Sequence, residues 1–227
     1  MTHQVCIIGG GPAGLFAALA AAQAGAAVTL LERNARPGAK LLLSGAGQCN
    51  CTHAGPLAAF FNHYGDHGDF LRPALNAFSN NDLIAFFAAH GVPLADRGDG
   101  KVFPLSGKAN DLLNVLEKAC REAGVTCRTR ERVLGIEQRQ TGFAVTTEQG
   151  MYETDRCILA TGGRSYPKTG STGDGCTFAA ALGHTIVPLR PALCGIVCRD
   201  HWLAEATGLA CNGCRVRLLR DGKTVDE

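Results

Sequence analysis

The feature that most constrains this chain is "VCIIGGGPAGLFAALAAAQAGAAVTLLER", residues 5–33, where an apolar run meets a cluster of glycines. Residues 4–8, "QVCII", show no polar alternation and read as a short strand buried on both faces, as in a parallel sheet. The alanine-rich segment that follows reads as a helix from about Gly14 to Ala24, ending near Gly25, and "AVTLLE" reads as a second strand. Strand, helix and strand within about thirty residues make a βαβ unit.

Within this unit Gly9, Gly11 and Gly14 fit G-x-G-x-x-G, and Glu32 closes the second strand. Gly9 permits the tight turn, Gly11 lets a pyrophosphate approach the backbone, and Gly14 lets helix and strand pack closely. The helix N-terminus offers unpaired N–H groups and a partial positive charge to the phosphates, while Glu32 accepts hydrogen bonds from ribose hydroxyls. A glycine triplet alone is equally a glycine-rich turn. The strand before it, the helix after it and the acid at the end of the second strand together point to a dinucleotide. An acid here disfavours a 2′-phosphate, so FAD or NAD is expected in preference to NADP. The expected ADP-binding residues are Gly9, Gly10, Gly11, Pro12, Ala13, Gly14, Glu32 and Arg33.

The 227 residues, 46% of them apolar, suffice for one large domain or for one domain and part of another. Twenty-two basic side chains against 20 acidic ones leave a formal charge of +2, and no Lys/Arg run marks a nucleic-acid track. "LFAALAAAQAGAAVTLL" imitates a membrane span, but Gln23 and Gly25 interrupt it and no basic segment precedes it, so a soluble helix and strand are expected. Eleven cysteines are an odd number, and Cys6 in "VCIIG" and Cys157 in "RCILAT" lie in apolar runs. They read as buried thiols of a reducing compartment, and a cytoplasmic protein without membrane or nucleic-acid partners is expected.

Residues 56–90 read as helical, with Asn80 or Asn81 capping "NNDLIAFFAAHG" and Gly91 ending it. "DRGDGKVFPLSGKAN" reads as irregular, and "DLLNVLEKACREAG" as an amphipathic helix. "VTCRT", "RVLGIEQR", "GFAVTTEQG" and "MYETD" alternate apolar and polar residues between turn signals and read as short strands with hairpins. "RCILATGG" reads as another buried strand, residues 174–183 as a helix ending at Gly183, and "CRVRLLRDGKTVDE" as a strand entering a hairpin turn at "DG". Helices and antiparallel strands inserted before "ILATGG" are unlike an ordinary NAD domain, in which strands and helices keep alternating.

Four segments narrow the comparison: "GAKLLLSGAGQCNCTH", "GKVFPLSGKANDLLNVL", "ILATGGRSYPKTGSTGDGCTFAAALGHTI" and "PLRPALC". Over nearly the whole chain this pattern resembles the bacterial NAD(P)/FAD-dependent oxidoreductases labelled HI-type or BaiN-like flavoproteins, some of them named aminoacetone oxidase-like. The resemblance implies an α/β fold of the two-dinucleotide-binding-domain flavoprotein type. A Rossmann-like FAD-binding domain with a β-meander crossover would occupy residues 1–188, and residues 189–227 would begin an inserted, mainly-β second domain that is incomplete here. FAD would lie with its ADP half on the first loop and its ring facing segments 40–50 and 162–174, with NAD(P)H as electron donor. The resemblance places Lys40, Ser44, Gly45, Cys49 and Asn50 along the flavin, Val133 at the adenine through its backbone, and Ala160, Thr161, Gly162 and Gly163 near the ADP portion. Asp174 would shape the pocket near the ring, or else cap the helix that follows it. Gln48 stands where the family pattern has a basic residue, and His53 where it has asparagine.

Cys49, Cys51 and His53 alternate along the chain, as three ligands on one face of a strand would. Cys194, Cys198, Cys211 and Cys214 offer four more thiolates. The intervals of the second group do not match a compact zinc ribbon, and a strand rather than a helix follows Cys214, which removes the stabilisation a thioredoxin-like pair needs. No metal is expected. The reading is an FAD-dependent oxidoreductase acting on a small-molecule substrate, with catalytic residues unassigned; the alternative is a non-catalytic dinucleotide-binding fragment of such a flavoprotein.

Overall fold

The computed structural model describes residues 2–190, 199, 205, 214, 215 and 217–226. The chain divides into two units, Met1–Ile186 and Val187–Glu227. Among the described residues no helix is long and apolar enough to cross a membrane.

The first unit opens with β1 (Gln4–Ile8), α1 (Pro12–Gln23) and β2 (Ala27–Glu32). The helix starts two residues earlier than its apolar pattern suggests, because proline at its first position lacks an N–H that would in any case go unpaired there. Its end follows from Gly25, whose left-handed φ of 88° lets the N–H groups of Gly25 and Ala26 return to the carbonyls of Ala22 and Ala21.

α2 (Ala39–Leu43), β3 (Thr52–His53), α3 (Leu57–Phe61), α4 (Gly68–Ala77) and α5 (Asn80–Ala89) come next. Ser79, not Asn80 or Asn81, caps α5: its hydroxyl accepts from the Asp82 N–H, and the Asp82 carboxylate accepts from the Ser79 N–H. Asn80 instead turns inward and donates to the carbonyls of His53 and Gly55. β4 (Leu94–Asp96) and β5 (Lys101–Pro104) pair antiparallel, and β3 joins β5 from the other side. The stretch expected to be irregular therefore carries the central strand of a three-stranded sheet; "KVFP" is short, but Val102 and Phe103 are buried.

α6 (Ala109–Glu122) buries Leu112, Leu113, Val115, Leu116, Ala119 and Cys120, the spacing of a single apolar face. β6 (Thr126–Thr129) does not belong to the antiparallel group: it lies parallel to β2. β7 (Val133–Arg139), β8 (Gly142–Thr147) and β9 (Met151–Thr154) form the meander. β10 (Arg156–Leu159) returns parallel to β1, giving a main sheet of order β10, β1, β2, β6. As its outer strand, β10 is less buried than "RCILATGG" suggests, with Ile158 and Leu159 each 36% exposed.

The main sheet is covered on both faces. On one, Val5, Ile7, Val28 and Leu30 pack with Leu15, Ala18 and Leu19 of α1 and with the buried face of α6. On the other, Cys6, Ile8 and Leu31 pack with Val133, Ile136 and Val145 of the meander and with Phe178 of α7 (Asp174–Ala181). Alternate residues of β1 feed opposite cores, which is why its sequence is apolar throughout.

In the second unit β11 (Leu218–Arg220) and β12 (Lys223–Asp226) form a hairpin. Asp221 and Gly222 turn it with φ of 52° and 74°, the two left-handed residues of the turn that matches strand twist.

Candidate functional site

A cleft of about 680 Å³ opens at the C-terminal ends of β1, β2 and β10. The connections from β1 and from β10 leave for opposite sides of the sheet, so the cleft lies at a topological switch point, where open α/β sheets bind ligands.

Its floor is the β1–α1 turn. Gly9 has φ 107°, and a Cβ there would stand 2.5 Å from the Ala160 carbonyl oxygen. A Cβ on Gly14 would fall 1.9 Å from the Gly9 oxygen. Both glycines are thus required by the protein's own packing. Gly11 is different: its φ of −72° suits any residue, and a Cβ would meet no atom of the chain within 4 Å. Room of this kind is what a pyrophosphate approaching the backbone requires. No side chain caps α1 and no acidic residue stands in its first turn, so its N-terminal field is not neutralised from within the chain.

Glu32 lines the cleft while being 6% exposed. Its Oε2 accepts from the Gly10 N–H at 2.7 Å and its Oε1 from the Asn34 N–H at 2.8 Å. Two backbone donors hold the carboxylate, and each oxygen keeps acceptor capacity for a ribose hydroxyl.

The far wall is the loop before α7. Arg33 donates to the Gly170 carbonyl, the Thr172 hydroxyl and Asp174, the last at 3.2 Å, while Asn34 donates to the Thr169 carbonyl. Thr172 in turn donates to Asp174 Oδ1 at 2.7 Å. Asp174 is the first residue of α7; the cap position belongs to Gly173, and the carboxylate is spent on Arg33 and Thr172 rather than on the helix.

Gly9, Gly11, Pro12, Ala13, Glu32, Arg33, Lys40, Val133, Ala160, Thr161, Gly162 and Asp174 all line this cleft. Gly10 and Gly14 support it from behind, through the bond to Glu32 and through close packing. Lys40 reaches across to Ser165 at 3.4 Å. Ser44, Gly45, Cys49, Asn50 and Gly163 are not among the lining residues. Ser44 bonds to the Leu41 carbonyl, Gly45 bends the chain against Asn50 and Phe103, Cys49 is buried in the core, and Asn50 and Gly163 are exposed.

The cleft also gathers residues that no motif marked. Glu131 is 4% exposed and accepts from the Thr147 hydroxyl at 2.5 Å, beside Arg132. Asn34, Ser171 and Thr172 complete the far wall. Asn34 directly follows the acid and arginine at the strand end, which was the one sequence signal for it; Glu131 joins the site only through the fold of the meander.

The three alternating residues Cys49, Cys51 and His53 do not converge on one point. His53 turns its Nδ1 to the neighbouring Ala54 carbonyl at 2.5 Å, while Cys51 faces Cys49. Among the described residues no group of three or more His, Cys, Asp or Glu side chains is placed to hold a metal. Cys194, Cys198 and Cys211 lie outside the described residues.

The parallel sheet, the glycine turn and the acid at the end of β2 define a Rossmann-type dinucleotide-binding protein. The model of the HI0933-like protein Rossmann domain matches residues 3–223, and the chain belongs to that family, the one its motifs resemble. It is 34% identical over 209 residues to the 3-dehydro-bile acid delta(4,6)-reductase of Clostridium scindens, covering 91% of this chain and 50% of that one. It is 31% identical over 204 residues to the ribosomal RNA dihydrouridine synthase of Escherichia coli, covering 90% and 50%. The chain thus spans about half the length of the curated relatives it matches. Among solved structures, glycine oxidase from Geobacillus kaustophilus is similar at 18% identity and a TM-score of 0.46, covering 81% of this chain and 60% of that one.

Proposed function

We propose that this chain carries the FAD-binding portion of an FAD-dependent oxidoreductase that uses NAD(P)H as electron donor and acts on a small organic molecule or oxygen in the cytoplasm. The observation that carries the reading is Gly11, a glycine with neither a conformational nor a packing reason inside the protein, at the uncapped start of a helix facing the cleft. The backbone N–H groups of Ala13 and Gly14 would hold the pyrophosphate, Glu32 the ribose, and the Val133 backbone the adenine. When bound, the flavin supplies two-electron chemistry, accepting hydride from a reduced nicotinamide and passing electrons to the acceptor. The chain's own part is orientation and exclusion of water: Arg33, Asn34 and Thr172 fix the far wall, and Lys40 brings a positive charge to the rim. Relatives named for a bile-acid reduction and for an RNA dihydrouridine synthesis have unlike substrates, so the acceptor is kept to its chemical class.

The half-exposed outer strand β10 favours a second reading, in which these 227 residues bind the dinucleotide without turning it over. Titration of FAD into the purified chain, followed by flavin absorbance and fluorescence, tests both. Saturable binding, weakened about tenfold or more in Glu32→Gln, supports the site; an unperturbed flavin spectrum at all ratios removes it. Bleaching of bound flavin on anaerobic addition of NADH or NADPH then separates the oxidoreductase from the binding fragment.

A further inference from the structure

Cys49 and Cys51 belong to no part of the nucleotide cleft. They flank Asn50 in the bend that runs from the Ser44–Gly47 turn into β3. Cys49 has φ 60°, a left-handed setting uncommon for any residue with a side chain. The bend is tied on both sides, by the Cys49 N–H to the Ser44 carbonyl and by the Cys51 N–H to the Val102 carbonyl, each at 2.9 Å. The kink turns the two thiols toward each other: Cys51 Sγ lies 4.0 Å from Cys49 Sγ and 3.3 Å from the Cys49 carbonyl oxygen. A disulfide needs roughly 2 Å of further approach between the sulfurs. Cys49 is 6% exposed and packs in the main core, whereas Cys51 is half-buried at its edge.

The Cys51 thiol, donating to Cys49, lowers the Cys49 thiol to about 7 against the opposing effect of burial, with the Ser44 hydroxyl adding to the shift. Cys51, which keeps the shared proton, is raised by the same bond and by burial. Two thiols on neighbouring strands of the main sheet shift the opposite way: desolvation raises Cys6 to about 12, with Cys157 adding, and raises Cys157 to about 11. The contact therefore biases Cys49 toward the thiolate, with a second thiol 4.0 Å away.

We propose that Cys49 and Cys51 are a redox pair, oxidised by hydrogen peroxide to an intrachain disulfide and restored by a small thiol. The Cys49 thiolate attacks one peroxide oxygen, the O–O bond breaks, and the leaving hydroxide takes up a proton to become water. The sulfur, oxidised by two electrons, is then a sulfenic acid. The Cys51 sulfur attacks it, the S–O bond breaks, and hydroxide leaves with the Cys51 proton as a second water. Two thiols and one peroxide thus give one disulfide and two waters. Two molecules of small thiol return both cysteines to thiols, becoming a disulfide themselves.

The sequence makes the test direct, because trypsin, which does not cut the Arg72–Pro73 bond, releases residues 41–97 with Cys49 and Cys51 as their only cysteines. The 227-residue chain is treated with graded hydrogen peroxide, alkylated, digested and weighed. The expected peptide is unalkylated, two hydrogen atoms lighter than its dithiol form, and returned to that form by dithiothreitol. In Cys51→Ser the reaction halts at the sulfenic acid, which dimedone captures on Cys49. Iodoacetamide modification of Cys49 levels off above about pH 8, while that of exposed Cys127, a thiol raised by desolvation, keeps climbing. Recovery of both cysteines alkylated in the wild-type peptide, at peroxide doses that oxidise Cys127, overturns the proposal.

Discussion

At the scale of single residues, the three fingerprint glycines have separable reasons. Gly11→Ala places a methyl group in open space at a compatible φ, so its cost is that of a poorer helix cap, below about 1 kcal/mol. Gly14→Ala drives a Cβ into the Gly9 carbonyl and is expected to cost about 3 kcal/mol or more. The two variants should therefore dissociate: Gly11→Ala unfolds in urea much as the parent does yet loses FAD affinity at least tenfold, whereas Gly14→Ala unfolds at clearly lower urea. Equal losses of stability would show that Gly11 is structural. Glu32 carries a double duty that its position at a strand end does not reveal, since its oxygens bind the Gly10 and Asn34 N–H groups before they meet any ribose.

At the scale of elements, local signals succeed where they act through the backbone and fail where burial decides. The Gly25 and Gly183 helix ends, and the Asp221–Gly222 hairpin turn, were legible because left-handed φ selects the residue type. β6 was legible as a strand but not as a member of the parallel sheet: "TCRT" is exposed along its length, and only its register with β2 assigns it. For α5 the capping box sets a clear expectation. Ser79→Ala removes the hydroxyl that accepts the Asp82 N–H and should lower stability by about 1 kcal/mol, read as a shift in the urea midpoint with an unchanged slope. Ser79→Asp should recover most of the loss, because its carboxylate can accept the same N–H.

At the scale of the whole molecule, the central strands β1 and β2 are buried on both faces, and thiols share that interior. Burial raises Cys6 to about 12, with the neighbouring Cys157 contributing, and raises Cys120 and Cys157 to about 11. These groups favour folding fully below the ordinary thiol value of 9.0, where both states keep the proton. Above it the unfolded chain ionises first, so stability falls as pH rises from about 9 toward 12. Thermal unfolding from pH 7.5 to 10.5 should show the midpoint declining above about pH 9, and Cys6→Val should flatten that decline. A midpoint that stays level across the range would contradict a buried, protonated Cys6.

By itself the sequence determined the βαβ unit, the dinucleotide loop and the acid at the end of β2, because each is written in short-range spacing or in backbone geometry that only certain residues permit, while the meander and the family were legible through the resemblance of longer motifs. The tertiary structure alone decided which residues share the cleft. Glu131, Ser171 and Thr172 come to it across long chain separations, while Ser44, Cys49 and Asn50, placed along the flavin by resemblance, lie outside its lining. It also decided that β10 is a half-exposed outer strand and that Cys51 faces Cys49 rather than joining His53 around a metal. The physical reason is common to all of these: burial and side-chain proximity are set by strand order and by the hydrogen bonds that tie loops together, and neither is encoded in the residues of any one segment.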